Sequence, residues 1–195
     1  MNVFVINGGQ IYAQAKGQFN QSIADRTVAF FKERAETEIR HTNINQPYSI
    51  SKEIENFIWA DIIVYHTPIW WFQLPNGLKK YFDEVLNTAK GKGIWTGDGR
   101  SSKNPSVNYG TGGLLSGKYV VTTTWNAPVT AFTLPNEFFN KVSVDDGILY
   151  GFHKMNAFIG LAYLGSFHFH DIVKNGNIET DLDLYTEYLN TIINK

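Results

Sequence analysis

The chain has 195 residues, 43% of them hydrophobic and 18% charged, which is enough to bury one core and excludes a disordered chain or a coiled coil. The formal net charge is -1 and the basic residues are scattered, which argues against nucleic acid or an anionic membrane surface as a partner. Because cysteine is absent, disulfides, thiolate metal ligands and cysteine nucleophiles are excluded, and any redox chemistry needs a cofactor.

Short apolar runs alternate with amphipathic segments along the whole chain. The pattern predicts strands at residues 2–6, 37–44, 61–66, 118–124 and 162–169, and helices at 19–35, 51–59, 78–86, 147–161 and 180–193, the last with a capping box at 180–183. The first apolar run is too short for a signal peptide and no stretch approaches a membrane span, so we expect a cytoplasmic protein.

Strands that alternate with helices indicate a parallel sheet. We predict one α/β domain over residues 1–195, a flavodoxin-like, doubly wound sheet of five strands in the order 2-1-3-4-5 with helices on both faces. In this order ligands bind beyond the carboxyl ends of the first and third strands, which predicts the location of a site.

Aromatic residues and glycines are concentrated in predicted loops. Aromatics make up 15% of the chain, and Trp70, Trp71, Trp95 and Trp125 fall in loops or at their edges, which suggests a flat ligand. Residues 91–117 hold eight of the 17 glycines without any helix or strand period, so we predict an ordered, functional loop there.

Three loops carry candidate binding residues. The loop before the first helix would present backbone N–H groups to an anion such as a diphosphate, although Lys16 and Gly17 are also ordinary turn residues and no G-x-G-x-x-G or Walker A motif is present. Of Trp70 and Trp71, at least one should face a ligand or a partner subunit, because adjacent side chains point to opposite sides of a strand. The loop beginning at Trp125 offers an aromatic wall and amide donors suited to an isoalloxazine ring.

Candidate catalytic residues are fewer. Tyr109 could close over a cofactor or substrate, or could be a packing residue, and His153 could reach a substrate oxygen, although a helical histidine is more often packed or solvated. His168 and His170 can share a strand face, but no third ligand stands at a recognisable spacing, so we predict no metal site. Hydrolase and kinase motifs are absent.

Nine short stretches, in order along nearly the whole chain, form one pattern: ING at 6–8, GQFN at 17–20, NFIWAD at 56–61, PIWW at 68–71, KKYFD at 79–83, DGR at 98–100, YGTGGL at 109–114, TWNAP at 124–128 and FHK at 152–154. In this pattern the chain resembles the modulator of drug activity B family, bacterial NAD(P)H:quinone oxidoreductases of the flavodoxin-like type.

The resemblance implies a homodimer with one FAD per subunit, FMN being the less expected flavin, and with the flavin site at the subunit interface. It implies two-electron hydride transfer from NADPH or NADH to a small quinone in alternating half-reactions. For that reaction Tyr109 and His153 are the candidates for orienting or protonating the quinone. The implied cofactor contacts are Ala15, Lys16, Gly17, Gln18, Phe19, Asn20, Gln21 and Ser22 for the diphosphate and adenosine, and Ile69, Trp70, Trp71, Phe72, Tyr109, Thr124, Trp125, Asn126 and Ala127 for the flavin.

The chain departs from the family pattern at Lys16, where a small polar residue is expected, and at Ile69 and Gln73, where glycine is expected. Two alternative functions stay open. One is an ancillary redox-sensing regulatory subunit of an ion-efflux system, and the other is a reductase of azo dyes or nitroaromatics with the same flavin.

Overall fold

The structure, a computed structural model, describes residues 1–194. In this part of the chain five strands alternate with six helices. They are β1 Asn2–Asn7, α1 Gln18–Lys32, β2 Glu38–Asn43, α2 Ile50–Trp59, β3 Ile62–Pro68, α3 Asn76–Thr88, β4 Lys118–Thr124, α4 Thr130–Thr133, α5 Tyr150–Phe158, β5 Ala162–Phe169 and α6 Ile178–Ile193.

The five strands form one sheet in the order β2-β1-β3-β4-β5, and every neighbouring pair is parallel. In the central register Val3 of β1 lies between Ile39 of β2 and Ile62 of β3. The predicted strand order and fold class are confirmed. Because the order reverses beside β1, the loops that follow β1 and β3 lead to opposite faces of the sheet and leave a crevice between them.

Each face of the sheet is covered by its own helices. Phe4 and Ile6 of β1 pack with Phe57 of α2 on the face that also carries α3 and α5. Val3 and Val5, which alternate with them, pack on the other face against α1 and α6. Strands buried on both sides need apolar residues at nearly every position, which is why β1 and β3 are readable as continuous apolar runs.

Four helices differ from the sequence-based expectation. Helix α1 ends at Lys32 rather than at residue 35, and α5 spans Tyr150–Phe158 rather than 147–161. The last helix begins at Ile178 rather than at a capping box, because the Asn177 side chain already caps it by accepting a hydrogen bond from the Thr180 backbone N–H at 3.3 Å. The four-residue helix α4 was not predicted, since its length is below one period of any apolar repeat.

The glycine-rich loop between α3 and β4 is fastened to the helices below it, as predicted. The Ile94 side chain is fully buried, and the Trp95 indole N–H donates to the Leu86 carbonyl oxygen at 2.7 Å. The backbone of Gly113 lies so close to that of Ile159 and Gly160 that no Cβ could be accommodated there. Gly113 therefore allows the loop backbone to approach the end of α5 closely.

Candidate functional site

The carboxyl ends of β1, β3 and β4 border a cavity of about 510 Å³, which we call the edge cavity. It lies where the strand order reverses, the predicted place. Among the described residues no aspartate or glutamate lines it, and its charged wall residue is Lys16. The predicted contacts on its wall are Ala15, Lys16, Gly17, Gln18, Phe19, Asn20, Ile69, Trp70, Thr124 and Asn126. The edge cavity thus brings all three predicted loops together.

Helix α1 begins at this cavity with its N-terminus uncapped by any side chain. Gly17 occupies the N-cap with a left-handed φ of 67°, and the first turn contains no acidic residue. A Cβ on Gly17 would lie 2.5 Å from the Gly9 carbonyl oxygen, so the position requires glycine. Unsatisfied backbone N–H groups, the positive end of the helix dipole and Lys16 together suit an anion such as a diphosphate.

A network of hydrogen-bonded amide side chains supports the loop after β1 from the side of β2. Gln21 Oε1 accepts from Asn7 Nδ2 at 2.8 Å and from Asn43 Nδ2 at 2.9 Å. Asn45 Nδ2 donates to the Gly9 carbonyl oxygen at 2.8 Å, and the Gly9 N–H donates to Asn7 Oδ1 at 2.9 Å. Gln21, a predicted contact, is therefore placed in the support of the loop and not on the cavity wall.

One hydrogen-bond acceptor at the edge cavity, on the side chain of Asn20, has no donor among residues 1–194. This side chain is buried, and its Nδ2 donates to Thr124 Oγ1 at 3.2 Å. Its Oδ1 is buried and has no hydrogen-bond partner among residues 1–194. A buried amide oxygen without a donor costs about 1–3 kcal/mol. An N–H or O–H group of a bound ligand would satisfy it.

The loop after β3 folds back in a tight two-residue turn. The backbone N–H groups of Trp70 and Gln73 each donate to the other residue's carbonyl oxygen, at 2.9 and 3.0 Å. Between them Trp71 and Phe72 have left-handed φ values of 49° and 63°. Such a turn favours Asn-Gly, and bulky residues there cost about 1–3 kcal/mol each. The turn nevertheless holds Trp71 with 92% of its surface exposed, which indicates a use outside the subunit's own core.

The end of β4 alternates between cavity and core. Thr124 and Asn126 line the edge cavity, whereas the Trp125 side chain is buried on the other side against Phe132, with ring centroids 5.2 Å apart. Ala127 follows, and its carbonyl oxygen lies 3.3 Å from Nδ1 of His170. Burial lowers the pKa of His170, so its neutral ring can donate Nδ1–H to that oxygen.

The remaining predicted residues do not line the edge cavity of this chain. The Ser22 hydroxyl donates back to the Gln18 carbonyl oxygen at 3.2 Å. Phe72 stacks on Phe138 with ring centroids 5.5 Å apart, away from the wall. Tyr109, within the glycine-rich loop, is 71% exposed, and its ring lies beside that of Phe158.

His153 lies in a separate polar cluster. Its Nδ1 is 2.6 Å from the Tyr119 hydroxyl and its Nε2 is 2.9 Å from Asp145 Oδ1. The structure therefore does not bring the two candidate catalytic residues, Tyr109 and His153, together with the edge cavity within one chain.

The predicted contacts omit five residues of the cavity wall: Gln10, Gln14, Pro68, Ile172 and Val173. Gln10 also accepts the Gly77 backbone N–H at 2.8 Å and so links the loop after β1 to the start of α3. Ile172 and Val173 follow β5, so the rule that ligands bind beyond the carboxyl ends of strands was the signal that could have found them.

Two features of residues 1–194 bear on other classes of site. No group of three or more histidine, aspartate or glutamate side chains is arranged to hold a metal ion. No helix in this range is both long and apolar enough to cross a bilayer.

The arrangement defines a class: an α/β protein with a flavodoxin-like fold and a nucleotide-sized cavity at its switch point. The sequence matches the family described as the flavodoxin-like fold over residues 1–192, and the chain belongs to this family. It is 38% identical over 194 residues to NADPH:quinone oxidoreductase MdaB of Haemophilus influenzae, which covers 98% of this chain and 99% of that protein. Within the flavodoxin-like proteins, the chain is thus a member of the modulator of drug activity B family.

Solved structures agree on the fold. A protein of Klebsiella pneumoniae assigned as a quinone reductase superposes with a TM-score of 0.75 at 17% identity, over 98% of this chain and 84% of that one. General stress protein 14 of Treponema denticola, solved in complex with FMN, superposes with a TM-score of 0.61 at 16% identity, over 98% of both chains. At these identities the likeness shows the fold alone.

Proposed function

We propose that the protein is an FAD-dependent NAD(P)H:quinone oxidoreductase that transfers two electrons as a hydride in two alternating half-reactions. The observation that carries the proposal is the edge cavity, where an uncapped, acid-free helix N-terminus lies next to a buried amide oxygen without a partner. Membership of a family that includes an NADPH:quinone oxidoreductase supports the reaction class.

The residues of the cavity fit a flavin dinucleotide. The N–H groups at the start of α1, with Lys16, would hold the diphosphate, and Gly17 lets the backbone approach it. Ile69 and Trp70 offer an apolar wall for the ring, while Thr124 and Asn126 offer polar groups for its edge. Asn20 Oδ1 would accept a hydrogen bond from the cofactor.

When bound, the flavin would supply the hydride chemistry that the protein's own side chains lack. The protein's contribution would be orientation and exclusion of water. Trp70 is fixed by its turn and lies 6.0 Å from Tyr12, ring centroid to ring centroid, so the two aromatic loops form one wall beside the cavity. A rigid wall positions a flat nicotinamide or quinone against the ring and removes the entropic cost of aligning it.

We further propose a homodimer in which each flavin lies at the subunit interface. Trp71 and Phe138 are exposed by 92% and 75%, and Phe72, the other central residue of the Trp71 turn, stacks on Phe138. Apolar patches of this kind on a subunit mark contact surfaces, and the backbone strain at Trp71 would be offset by burying it against a partner. Tyr109, exposed on its own subunit, would contact the flavin across this interface.

The test is to purify the protein, release its cofactor by heat and identify it by chromatography. Menadione-dependent oxidation of NADPH and of NADH by the reconstituted protein then measures turnover. FAD with rapid turnover supports the proposal. FMN would change the cofactor assignment, and absence of any flavin would refute the site. FAD with feeble turnover of quinones and of azo dyes would favour the regulatory subunit, and rapid turnover of azo dyes alone would favour the azoreductase.

Variants at the loop sharpen this test. Lys16→Gln removes the positive charge beside the N-terminus of α1 and should weaken FAD binding. Lys32→Gln is the matched control, because Lys32 is exposed in the last turn of the same helix, at the opposite end from the cavity. Equal affinity of wild type and Lys16→Gln at low salt would contradict the placement of the diphosphate.

A further inference from the structure

A hydrogen-bonded network of polar side chains, partly exposed at its centre, ends at β4, the strand that lines the edge cavity. Its centre is Asp145, in the segment between α4 and α5, whose side chain is 30% exposed. Oδ1 of Asp145 lies 2.9 Å from His153 Nε2, and Oδ2 accepts from Ser166 Oγ at 2.7 Å and lies 3.3 Å from His168 Nε2. One carboxylate thus joins α5, β5 and the preceding segment.

The ionised form of Asp145 is the one this arrangement stabilises. Burial alone would raise its pKa, but hydrogen bonds from His153, His168 and Ser166 outweigh burial and hold the pKa of this carboxyl well below its usual range. Asp145 is therefore an acceptor for all three of its partners at neutral pH.

The donor and acceptor of each hydrogen bond in this network follow from the two end residues, Trp125 and Asp145. The Trp125 indole N–H can only donate, and it donates to Thr123 Oγ1 at 2.6 Å. Thr123 can then give its single hydroxyl proton to His168 Nδ1, which is 2.7 Å away. His168 Nδ1 is an acceptor in this arrangement, so its proton is on Nε2 and points to Asp145. The hydrogen-bonded network is therefore continuous from Trp125 through Thr123 and His168 to Asp145.

Trp125 connects this hydrogen-bonded network to the edge cavity. Its side chain points away from the wall, and its neighbours Thr124 and Asn126 form part of that wall. Its ring packs on Phe132 and Phe139, with centroid distances of 5.2 and 6.4 Å. The hydrogen bond at Nε1 adds a directional restraint to this packing. The backbone of Trp125 is also held by its N–H, which donates to the Phe169 carbonyl oxygen at 2.8 Å, and by its carbonyl oxygen, which accepts from the Ile172 N–H at 3.0 Å, so the oriented indole is a third restraint on this backbone.

We propose that Asp145, acting through His168 and Thr123, is a positioning residue that sets the flavin-facing backbone at 124–126 by fixing the Trp125 indole. The inference rests on the proposed flavin site, and it adds a residue that lies outside the edge cavity. In this network His153 is the second histidine bonded to the Asp145 carboxylate, and its other ring nitrogen is bonded to the Tyr119 hydroxyl.

The test compares Thr123→Val, which keeps the shape but lacks the hydroxyl, with Thr123→Ser, which keeps the hydroxyl. FAD is titrated into the apoprotein by fluorescence quenching, the visible circular dichroism of the bound flavin is recorded, and melting temperatures are measured. Thr123→Val should weaken FAD binding at least tenfold and change the dichroism. Thr123→Ser should bind within about twofold of wild type.

Asp145→Asn should weaken FAD binding as Thr123→Val does. The double variant should bind FAD no more weakly than the weaker of the two single variants, because both substitutions interrupt the same hydrogen-bonded network. Asp146→Asn is the matched control, since Asp146 is exposed and its carboxylate bonds Ser143 instead. In the apoprotein, the indole N–H signal of Trp125 should shift in Asp145→Asn and stay in place in Asp146→Asn.

The outcomes separate the two proposals. Wild-type apoprotein that binds no FAD overturns the proposed function together with this inference. Wild type and Thr123→Val that bind FAD equally, or an unmoved Trp125 signal in Asp145→Asn, overturns the positioning role alone. A loss in Thr123→Val that Thr123→Ser shares equally would also overturn it, because the hydroxyl would then not be the cause.

Discussion

His66 should oppose folding of the protein in mildly acidic solution. The ring lies inside the sheet on β3, with Nδ1 2.7 Å from Thr122 Oγ1 and Nε2 3.1 Å from Thr27 Oγ1. The Thr27 hydroxyl donates to the Ile23 carbonyl oxygen at 2.9 Å, so it accepts from His66 Nε2–H. Burial lowers the pKa of His66 from 6.5 to about 3. The native ring is therefore neutral down to well below pH 5.

The magnitude follows from proton linkage. At pH 5.5 the unfolded chain carries a proton on His66 and the native protein does not, so stability falls as pH drops below the unfolded pKa of 6.5. Between pH 7.5 and 5.5 this residue should remove about 1.4 kcal/mol from the free energy of unfolding. The result hardly depends on the native pKa, provided that it stays below about 4.5.

The assay is urea unfolding of wild type and of His66→Gln at pH 7.5, 6.5 and 5.5. Subtracting the two curves cancels the other titrating groups, and the advantage of wild type over the variant should shrink by about 1.4 kcal/mol on acidification. Nitrogen NMR of the histidine rings gives an independent check, with the other four histidines as internal references. A pH-independent difference, or a His66 ring that titrates near pH 6.5, would refute the reasoning.

Three further predictions concern the loops around the edge cavity. Gly17→Ala combines a positive φ with a clash at the Gly9 carbonyl, so it should lower the free energy of unfolding in urea by about 1–2 kcal/mol and the FAD affinity at least tenfold. Gly151→Ala, where space is open, should keep both the stability and the FAD affinity of wild type. Asn20→Asp adds a negative charge to the first turn of α1, beside the proposed diphosphate site, and should weaken FAD binding at least tenfold in a fluorescence titration. Unchanged affinity would show that the diphosphate does not lie at this end of the helix. Trp71→Asn should relieve the left-handed strain yet reduce the dimer fraction in sedimentation equilibrium. A variant as dimeric as wild type would exclude this turn from the interface.

The sheet and the place of the site were accessible from the sequence because both depend on local pattern. The apolar runs ending at Ile6 and His66 place two strands to within about two residues of their ends, and strand order then fixes the crevice. For Ile172 and Val173 the same rule gives only the region beyond the end of β5, and which residues form the wall there depends on how the chain leaves that strand. Tyr109 illustrates the same limit, because its placement depends on the path of a long loop that has no periodic signal.

Trp125 shows why a residue type beside a site does not define its role. An aromatic residue in a loop predicts a ligand wall, but alternation at a strand end turns successive side chains to opposite sides. Here Thr124 and Asn126 reach the cavity and the indole is buried behind them. Its direct contact with the flavin stays a prediction, and its observed contacts are those of a support.

The three consecutive threonines of β4 carry this argument further. In the sequence they indicate only β propensity. In the structure each hydroxyl is buried and has a different partner: Thr122 faces His66, Thr123 faces His168 at 2.7 Å, and Thr124 faces Asn20 at 3.2 Å. These partners come from β3, β5 and α1, so one strand links polar groups on both faces of the sheet. Because a buried hydroxyl must be satisfied, a threonine run inside a predicted central strand indicates polar partners on its neighbours, even though sequence alone cannot identify them.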